Sequence, residues 1–277
     1  MNISYDGHIH SPFCPHGSTD QFEEYVEAAI QAGYKGMTFT EHAPLPKTFT
    51  DPVPDKDSGM KWGDVHSYFN SIQQLKEKYK GLIEINSGLE VDYIEGYEEE
   101  TRQLLDSVGP LLDDAILSVH FIKHGDFYTC LDYSPEAFND LIQALGSVEM
   151  VHKKYYETVL KSIKSNLGNY KPTRIGHMTL ANKFQKKYPV KNDFQSEIAT
   201  ILIAIKDHNY SLDYNGAGTV KPLCEETYPS DEVVKEALKR EIPLVYGSDA
   251  HSAKGIGQGA DRLITHLLQK PNIINHS

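Results

Sequence analysis

The chain of 277 residues has little of what would mark it as secreted, membrane-bound or nucleic-acid-binding. Its three cysteines, Cys14, Cys130 and Cys224, cannot all pair, and a chain of this length needs no disulfide framework. No apolar run approaches the roughly 18 residues that would span a bilayer. Residues Met1 to Asp6 form neither a basic leader nor an apolar stretch, so no secretory signal is expected and a reducing cytoplasmic setting fits best. Basic residues are in the minority, 27 against 39 acidic, for a formal net charge of −12. That balance argues against a broad face for a phosphate backbone, so neither nucleic acid nor membrane is expected as a partner. A local basic pocket for one phosphate remains compatible with it. Low-complexity tracts, internal repeats and a convincing linker are also lacking, so residues 1–277 read as one domain. No surface stripe that would specify an oligomer can be read.

What is present is a globular composition, 39% hydrophobic and 24% charged. Short apolar runs mark strands at Ile3–His10, Gly36–Thr40, Ile83–Leu89, Ala115–Val119, Arg174–His177, Ser211–Asn215 and Pro243–Gly247. Helical spacing fills the intervals. Phe22, Tyr25, Val26, Ala29 and Ile30 line one helix face, and Gly33 closes that helix. Further helices are expected at Gly63–Tyr79, Gly96–Ser107, Pro135–Gly146, Val148–Leu167, Asp193–His208 and Ser230–Arg240, with another in the tail at Asp261–Leu268. Seven strands alternating with helices imply an α/β fold with a parallel sheet, closed as a barrel or open and doubly wound. The long stretch 43–63, rich in Pro, Asp, Lys and Ser, reads as a loop that covers a substrate.

The distribution of histidine favours the barrel. The chain has 13 histidines, so His8-Ile9-His10 arises readily by chance, and its position is the better evidence. The period of two places Asp6, His8 and His10 on one face at the end of the first strand. Thr40-Glu41-His42, Gly88-Leu89-Glu90, Ser118-Val119-His120, Gly176-His177 and Gly247-Ser248-Asp249-Ala250-His251 close later strands in the same way, and His16 lies in the first loop. A barrel gathers the C-terminal ends of its strands into one ring, where active sites sit. His8, His10, His16, His42, Glu90, His120, His177, Asp249 and His251 would then face a common centre. Seven imidazoles and two carboxylates exceed the needs of one ion. They suit two or three, of zinc, iron or manganese rather than calcium or magnesium. One such residue at a strand end is ordinarily a polar loop residue; five strand ends carrying one have no structural explanation. Cys14, between His10 and His16, is either a further ligand or a reduced thiol under the loop. His124 lies four residues past His120 and is a weaker candidate for the mouth. His66, His152 and His208 fall on helices, and His266 and His276 in the tail.

These motifs together resemble the polymerase and histidinol phosphatase (PHP) superfamily. Residues 6–17 (DGHIHSPFCPHG), 38–46 (TFTEHAPLP), 88–93 (GLEVDY), 116–121 (ILSVHF), 174–177 (RIGH) and 247–251 (GSDAH) are similar to its monofunctional histidinol-phosphatases, over about residues 3–265. The resemblance implies a distorted (β/α)7 barrel with three divalent ions. One ion would take His8, His10, Glu90 and Asp249; a second would share Glu90 and add His120 and His177; the third would take His16, His42 and His251. It implies hydrolysis of a small-molecule substrate, L-histidinol phosphate, the ions acidifying the attacking water and neutralising phosphate oxygens. Asp249 and His251 are the candidates for proton handling at the leaving group.

The remaining contacts are expected from residue type. The chain has four arginines, and Arg174 ranks first as phosphate clamp, although strict alternation sets it opposite His177. Lys123 and Arg262 are the reserves. Asp213 and Asn215, on one face of the sixth strand, are candidates for the substrate's ammonium and imidazole, with Glu225 and Glu226 beyond them. Two other functions compete: a PHP-type phosphoesterase acting on another small ester or a nucleotide, and a barrel that has lost its chemistry. The intact ligand set disfavours the latter.

Overall fold

The structure, a computed structural model, describes residues 3–265 and 267–274. His266 and His276 lie outside the described residues. In chain order the elements are β1 (Tyr5–Ile9), α1 (Phe22–Gln31), β2 (Gly36–His42), α2 (Val65–Lys78), β3 (Glu84–Asp92), α3 (Glu98–Val108) and β4 (Asp114–Ser118). A hairpin of β5 (Phe121–His124) and β6 (Phe127–Cys130) precedes α4 (Pro135–Leu145) and α5 (Val148–Lys164). The chain continues through β7 (Arg174–Ile175), α6 (Gln195–Asp207), β8 (Ser211–Asn215), α7 (Asp231–Lys239) and β9 (Leu244–Gly247).

Seven parallel strands pair in the order β1-β2-β3-β4-β7-β8-β9. The ring closes just past the last strand, where Asp249 N–H donates to His8 O (2.7 Å) and His10 N–H to Ala250 O (3.0 Å). This is the barrel alternative, and all seven expected strands are in it. The local chemistry explains the helices. Gln21 and Glu24 form a capping box on α1; Ser134 and Ser147 cap α4 and α5 through Ala137 N–H and Met150 N–H. Tyr25, Val26 and Ala29 of α1 are fully buried, as their spacing requires.

Three details differ from expectation. The hairpin β5–β6 is additional to the expected strands: its strands are only four residues each, too short for a clear alternation, and its signal is Gly125-Asp126 between the two runs, Gly125 supplying a φ of 60°. Among the described residues of the tail the helix expected at Asp261–Leu268 is absent: Ala260–Arg262 makes a short 3-10 turn, and Leu268 bridges to Leu244. Strands β2 and β3 run on to His42 and Asp92, with His42 opposite Glu90 and Asp92 opposite Ser118. His42 and Glu90 are therefore carried on paired backbone, whereas His120, His177, Asp249 and His251 lie just past the ends of their strands.

Two glycines let the barrel close around its polar interior. A Cβ at Gly7 would stand 2.5 Å from the Arg174 guanidinium, and one at Gly247 would stand 2.5 Å from His8 Cβ. Loop 43–63 lies along the mouth: Met60 N–H donates to His42 O (3.1 Å), and Asp51 ties Val53 N–H (2.9 Å) and Ser58 N–H (3.1 Å).

Away from the mouth, His152 of α5 stacks on Phe194 with ring centroids 5.4 Å apart and neither ring nitrogen hydrogen-bonded. Burial lowers its pKa to about 4. The unfolded chain therefore takes up a proton here below about pH 6.5 that the folded chain refuses, and stability falls as pH drops toward 4. Between pH 7 and 5 this group should cost about 2 kcal/mol. Urea unfolding of His152→Leu beside the parent should show that part of the acid sensitivity removed; equal losses in both would exonerate His152.

Candidate metal centre

Glu90 occupies the middle of the barrel mouth, only 2% exposed. Its Oε1 lies 2.8 Å from His177 Nε2 and 3.8 Å from His120 Nε2. Its Oε2 lies 3.1 Å from His42 Nδ1, 3.4 Å from His8 Nε2 and 3.6 Å from His10 Nε2. Asp249, beside it, has Oδ1 at 3.0 Å from His10 Nε2, 3.8 Å from His8 Nε2 and 3.6 Å from His251 Nδ1. The His10 and His251 rings stack at 3.9 Å. His16 sits at the exposed lip, its ring 5.1 Å from His42 and 5.2 Å from His251, its Nδ1 2.8 Å from Asp57 O. All nine expected side chains thus gather at one rim.

Their donor atoms form three close groups: His8, His10 and Asp249; Glu90, His120 and His177; and His10, Cys14, His42 and His251. Cys14 is therefore within reach of the third group, beside which His16 lies. The electrostatics fit cations. Burial opposes ionisation of Glu90 and Asp249, yet the neighbouring imidazoles hold both carboxyls well below their usual range. Burial likewise opposes the imidazolium forms, but hydrogen bonds from His10 to Asp249 and Glu41 push its pKa up to about 9, and Asp92 and Glu90 push His120 up to about 10. Burial and the charge on His10 lower His42 and His251. The buried acids demand positive charge, which protons supply only by crowding imidazolium ions together; divalent ions meet the same demand. His8 Nε2 and His42 Nδ1, which face Glu90 Oε2, are buried with no hydrogen-bond partner, an arrangement that leaves nitrogen lone pairs free for a metal.

A second layer orients the first. Asp213 Oδ2 takes His8 Nδ1 at 2.8 Å, Glu41 Oε1 takes His10 Nδ1 at 3.2 Å, and Asp92 Oδ1 takes His120 Nδ1 at 2.8 Å. Asn215 Nδ2 donates to Asp213 (3.1 Å) and to Asp249 (3.2 Å). Asp249 itself has φ 55°, a left-handed conformation that Asp tolerates better than most residues and that turns its carboxylate back over the rim.

Several expectations are corrected here. Arg174 does not reach the cavity. It is 2% exposed, and its guanidinium is spent on the Asp114 carboxylate and Gly7 O (2.8 Å) in the barrel interior. Asp213 and Asn215 are fully buried supports of His8 and Asp249, so they cannot receive a substrate's ammonium or imidazole. Asp6, read on one face with His8 and His10 but not as a ligand, meets a register shift between Asp6 and Ile9 that breaks the alternation, and it accepts Ser248 N–H (2.9 Å). His124 bonds Thr129 within the hairpin. Lys123 lies over the Tyr128 ring, and Arg262, with Glu225 and Glu226, lines a different cleft.

The cavity beneath the rim has a volume of about 540 Å³. Besides the ligand set it is lined by Asp57, Asp132, Tyr133, Lys183 and Lys221, none of which the sequence singled out. Asp57 comes from loop 43–63; Asp132 and Tyr133 follow β6, Lys183 lies on the 3-10 helix Leu180–Phe184 and Lys221 follows another at Ala217–Val220, segments that the fold brings to the mouth. Glu41 and Asp92 were legible in principle, since one adjoins His42 and the other shares a strand face with Glu90.

Comparison with known proteins adds relatives to this geometry. The PHP domain family profile matches residues 6–217. The chain is 46% identical to the histidinol-phosphatase of Bacillus subtilis over 254 residues, covering 91% of this chain and 95% of that one. A crystal structure of a Listeria monocytogenes protein described as a candidate histidinol phosphatase superposes with a TM-score of 0.89 at 39% identity, covering 93% of this chain and 99% of that chain. The fold is also that of histidinol phosphate phosphatase from Lactococcus lactis, solved with zinc, L-histidinol and phosphate (TM-score 0.69, 23% identity, 91% and 88% covered).

Two substitutions separate support from contact. Asp213→Asn should weaken metal retention about 10- to 100-fold, read as metal content after dialysis against a graded chelator; unchanged retention would remove Asp213 from the second layer. Arg174→Met should leave KM unchanged but cost about 3–5 kcal/mol in urea unfolding, because Asp114 loses its buried partner. A raised KM at unchanged stability would return Arg174 to the substrate.

Proposed function

The chain belongs to the PHP domain family, and from that premise we propose that it hydrolyses L-histidinol phosphate to L-histidinol and inorganic phosphate in histidine biosynthesis, with three divalent ions of zinc, iron or manganese. The observation that carries this reading is Glu90, whose two oxygens serve separate imidazole groups and so suit a carboxylate shared between ions. His8, His10, Glu90 and Asp249 would hold one ion, Glu90, His120 and His177 a second, and His16, His42 and His251 a third. Bound there, such ions acidify water near neutral pH and neutralise phosphate oxygens.

The chain's own residues complete the reaction. Asp213, Glu41 and Asp92 fix the ring orientation of His8, His10 and His120, so the donors need no rearrangement when substrate arrives. Asp249 and His251 stand 3.6 Å apart at the rim and handle the proton that the leaving alkoxide requires. Val53, Asp57 and Ser58 of loop 43–63 form one wall of the cavity, and this loop covers the substrate and limits water.

The test is phosphate release from histidinol phosphate beside a panel of sugar and nucleotide monoesters. Histidinol phosphate should be the preferred ester. Chelation should abolish turnover, and added zinc, manganese or iron should restore it, with elemental analysis returning three ions per chain. Chelator-resistant turnover would overturn the mechanism, and preference for another ester would replace the substrate while leaving the metal chemistry in place.

A further inference from the structure

The lining of the cavity contains one ion pair that neither the ligand set nor its supporting layer uses. Lys183 Nζ lies 2.9 Å from Asp132 Oδ2. Both side chains are mostly buried, at 23% and 18% exposure, and both line the metal cavity. Each is tethered to a ligand-type residue. Asp132 follows β6, where Leu131 N–H donates to His120 O (2.9 Å). Lys183 lies on the short 3-10 helix Leu180–Phe184, whose first N–H donates to His177 O (2.8 Å). Cys130 Sγ–H donates to the other oxygen of Asp132 (3.3 Å). The pair is therefore held at a set position beside the half of the rim made by Glu90, His120 and His177.

Resting on the function proposed above, we infer that Lys183 and Asp132 form a paired-charge recognition site, Lys183 for the ester phosphate and Asp132 for an ammonium on the adjacent carbon. The chemistry is that of two dipoles in antiparallel array. Histidinol phosphate bears its ammonium on the carbon next to the one that carries the ester oxygen, so a positive and a negative group stand side by side. The cavity presents the same two charges in contact. An antiparallel approach lets each protein charge keep its partner and gain a second opposite neighbour. Arg174 is sealed in the barrel interior, and Arg102 and Arg240 pair with Glu99 and Glu236 on the surface. Lys183 thus supplies the fixed cation that the arginines do not. Lys221, also at the cavity, is exposed at its edge. The site selects 2-ammonioalkyl phosphates over sugar phosphates and nucleotides, which lack the ammonium.

The experiment compares histidinol phosphate with 3-(imidazol-4-yl)propyl phosphate, the same ester without its amine, on metal-loaded enzyme. Asp132→Asn should lower kcat/KM for the amine-bearing ester by about tenfold or more and leave the amine-free ester unchanged or improved, since Lys183 is then less neutralised. Lys183→Met should raise KM for both esters, and Lys183→Arg should restore most of the loss. Metal content and thermal unfolding, measured on each variant, report whether the site survived. Equal loss on both esters in Asp132→Asn, at parental metal content, would reduce the pair to a structural bridge and overturn the inference. If the parent enzyme prefers some other ester, the substrate assignment fails. The inference is then judged by 2-aminoethyl phosphate against ethyl phosphate: a preference for the amine lost in Asp132→Asn upholds it, and no preference ends it.

Discussion

A carboxylate almost out of reach of water is tolerable only when positive charge surrounds it, and the barrel mouth is built to meet that condition for Glu90. Five imidazoles point nitrogen at its two oxygens within 3.8 Å. An isolated ionised carboxylate at that depth would cost far more than the marginal stability of a domain. The same requirement makes the mouth a cation trap, because imidazoles in their neutral form offer lone pairs while the acids supply charge.

The layers beneath follow from this demand. Three of the imidazoles present one nitrogen and surrender the other: Asp213, Glu41 and Asp92 take the rear nitrogens of His8, His10 and His120. Those acids are themselves buried and need compensation. Glu41 accepts from Ser11 N–H (2.8 Å) and His42 N–H (2.9 Å), and Asp213 from Asn215. Lower in the barrel Arg174 answers Asp114, and Gly7 leaves room for the guanidinium. Charge is thus passed inward, shell by shell, until it is neutralised within the protein. The outermost shell is left short of positive charge, as a resident ion would require.

Much of this was readable in residue order. Seven strands and most helices follow from apolar spacing and capping residues, and the nine rim residues follow from one regularity, a metal-type side chain at strand after strand end. The resemblance to the PHP superfamily rested on the same residues, and family, fold and relatives agree with it. What failed has a common cause. Arg174, Asp213 and Asn215 were assigned by residue type and proximity to a ligand in the chain. A barrel has an interior as well as a mouth, and polar residues one or two rungs down serve the ligands rather than the substrate. Asp6 fell to an irregular register in β1, which period-two counting cannot anticipate.

By itself the sequence determined the alternation of strands and helices and which residues had the chemistry to bind ions, because strand period and ligand type are local properties. Tertiary structure decided the depth at which each polar side chain sits, and hence whether it joins the donor groups, supports one of their members or lines the cavity. It also decided that Lys183 and Asp132, 51 residues apart and unremarked in the chain, meet beside the rim. Depth and juxtaposition depend on how the ring closes, and ring closure is a sum over contacts that no short window of residues contains.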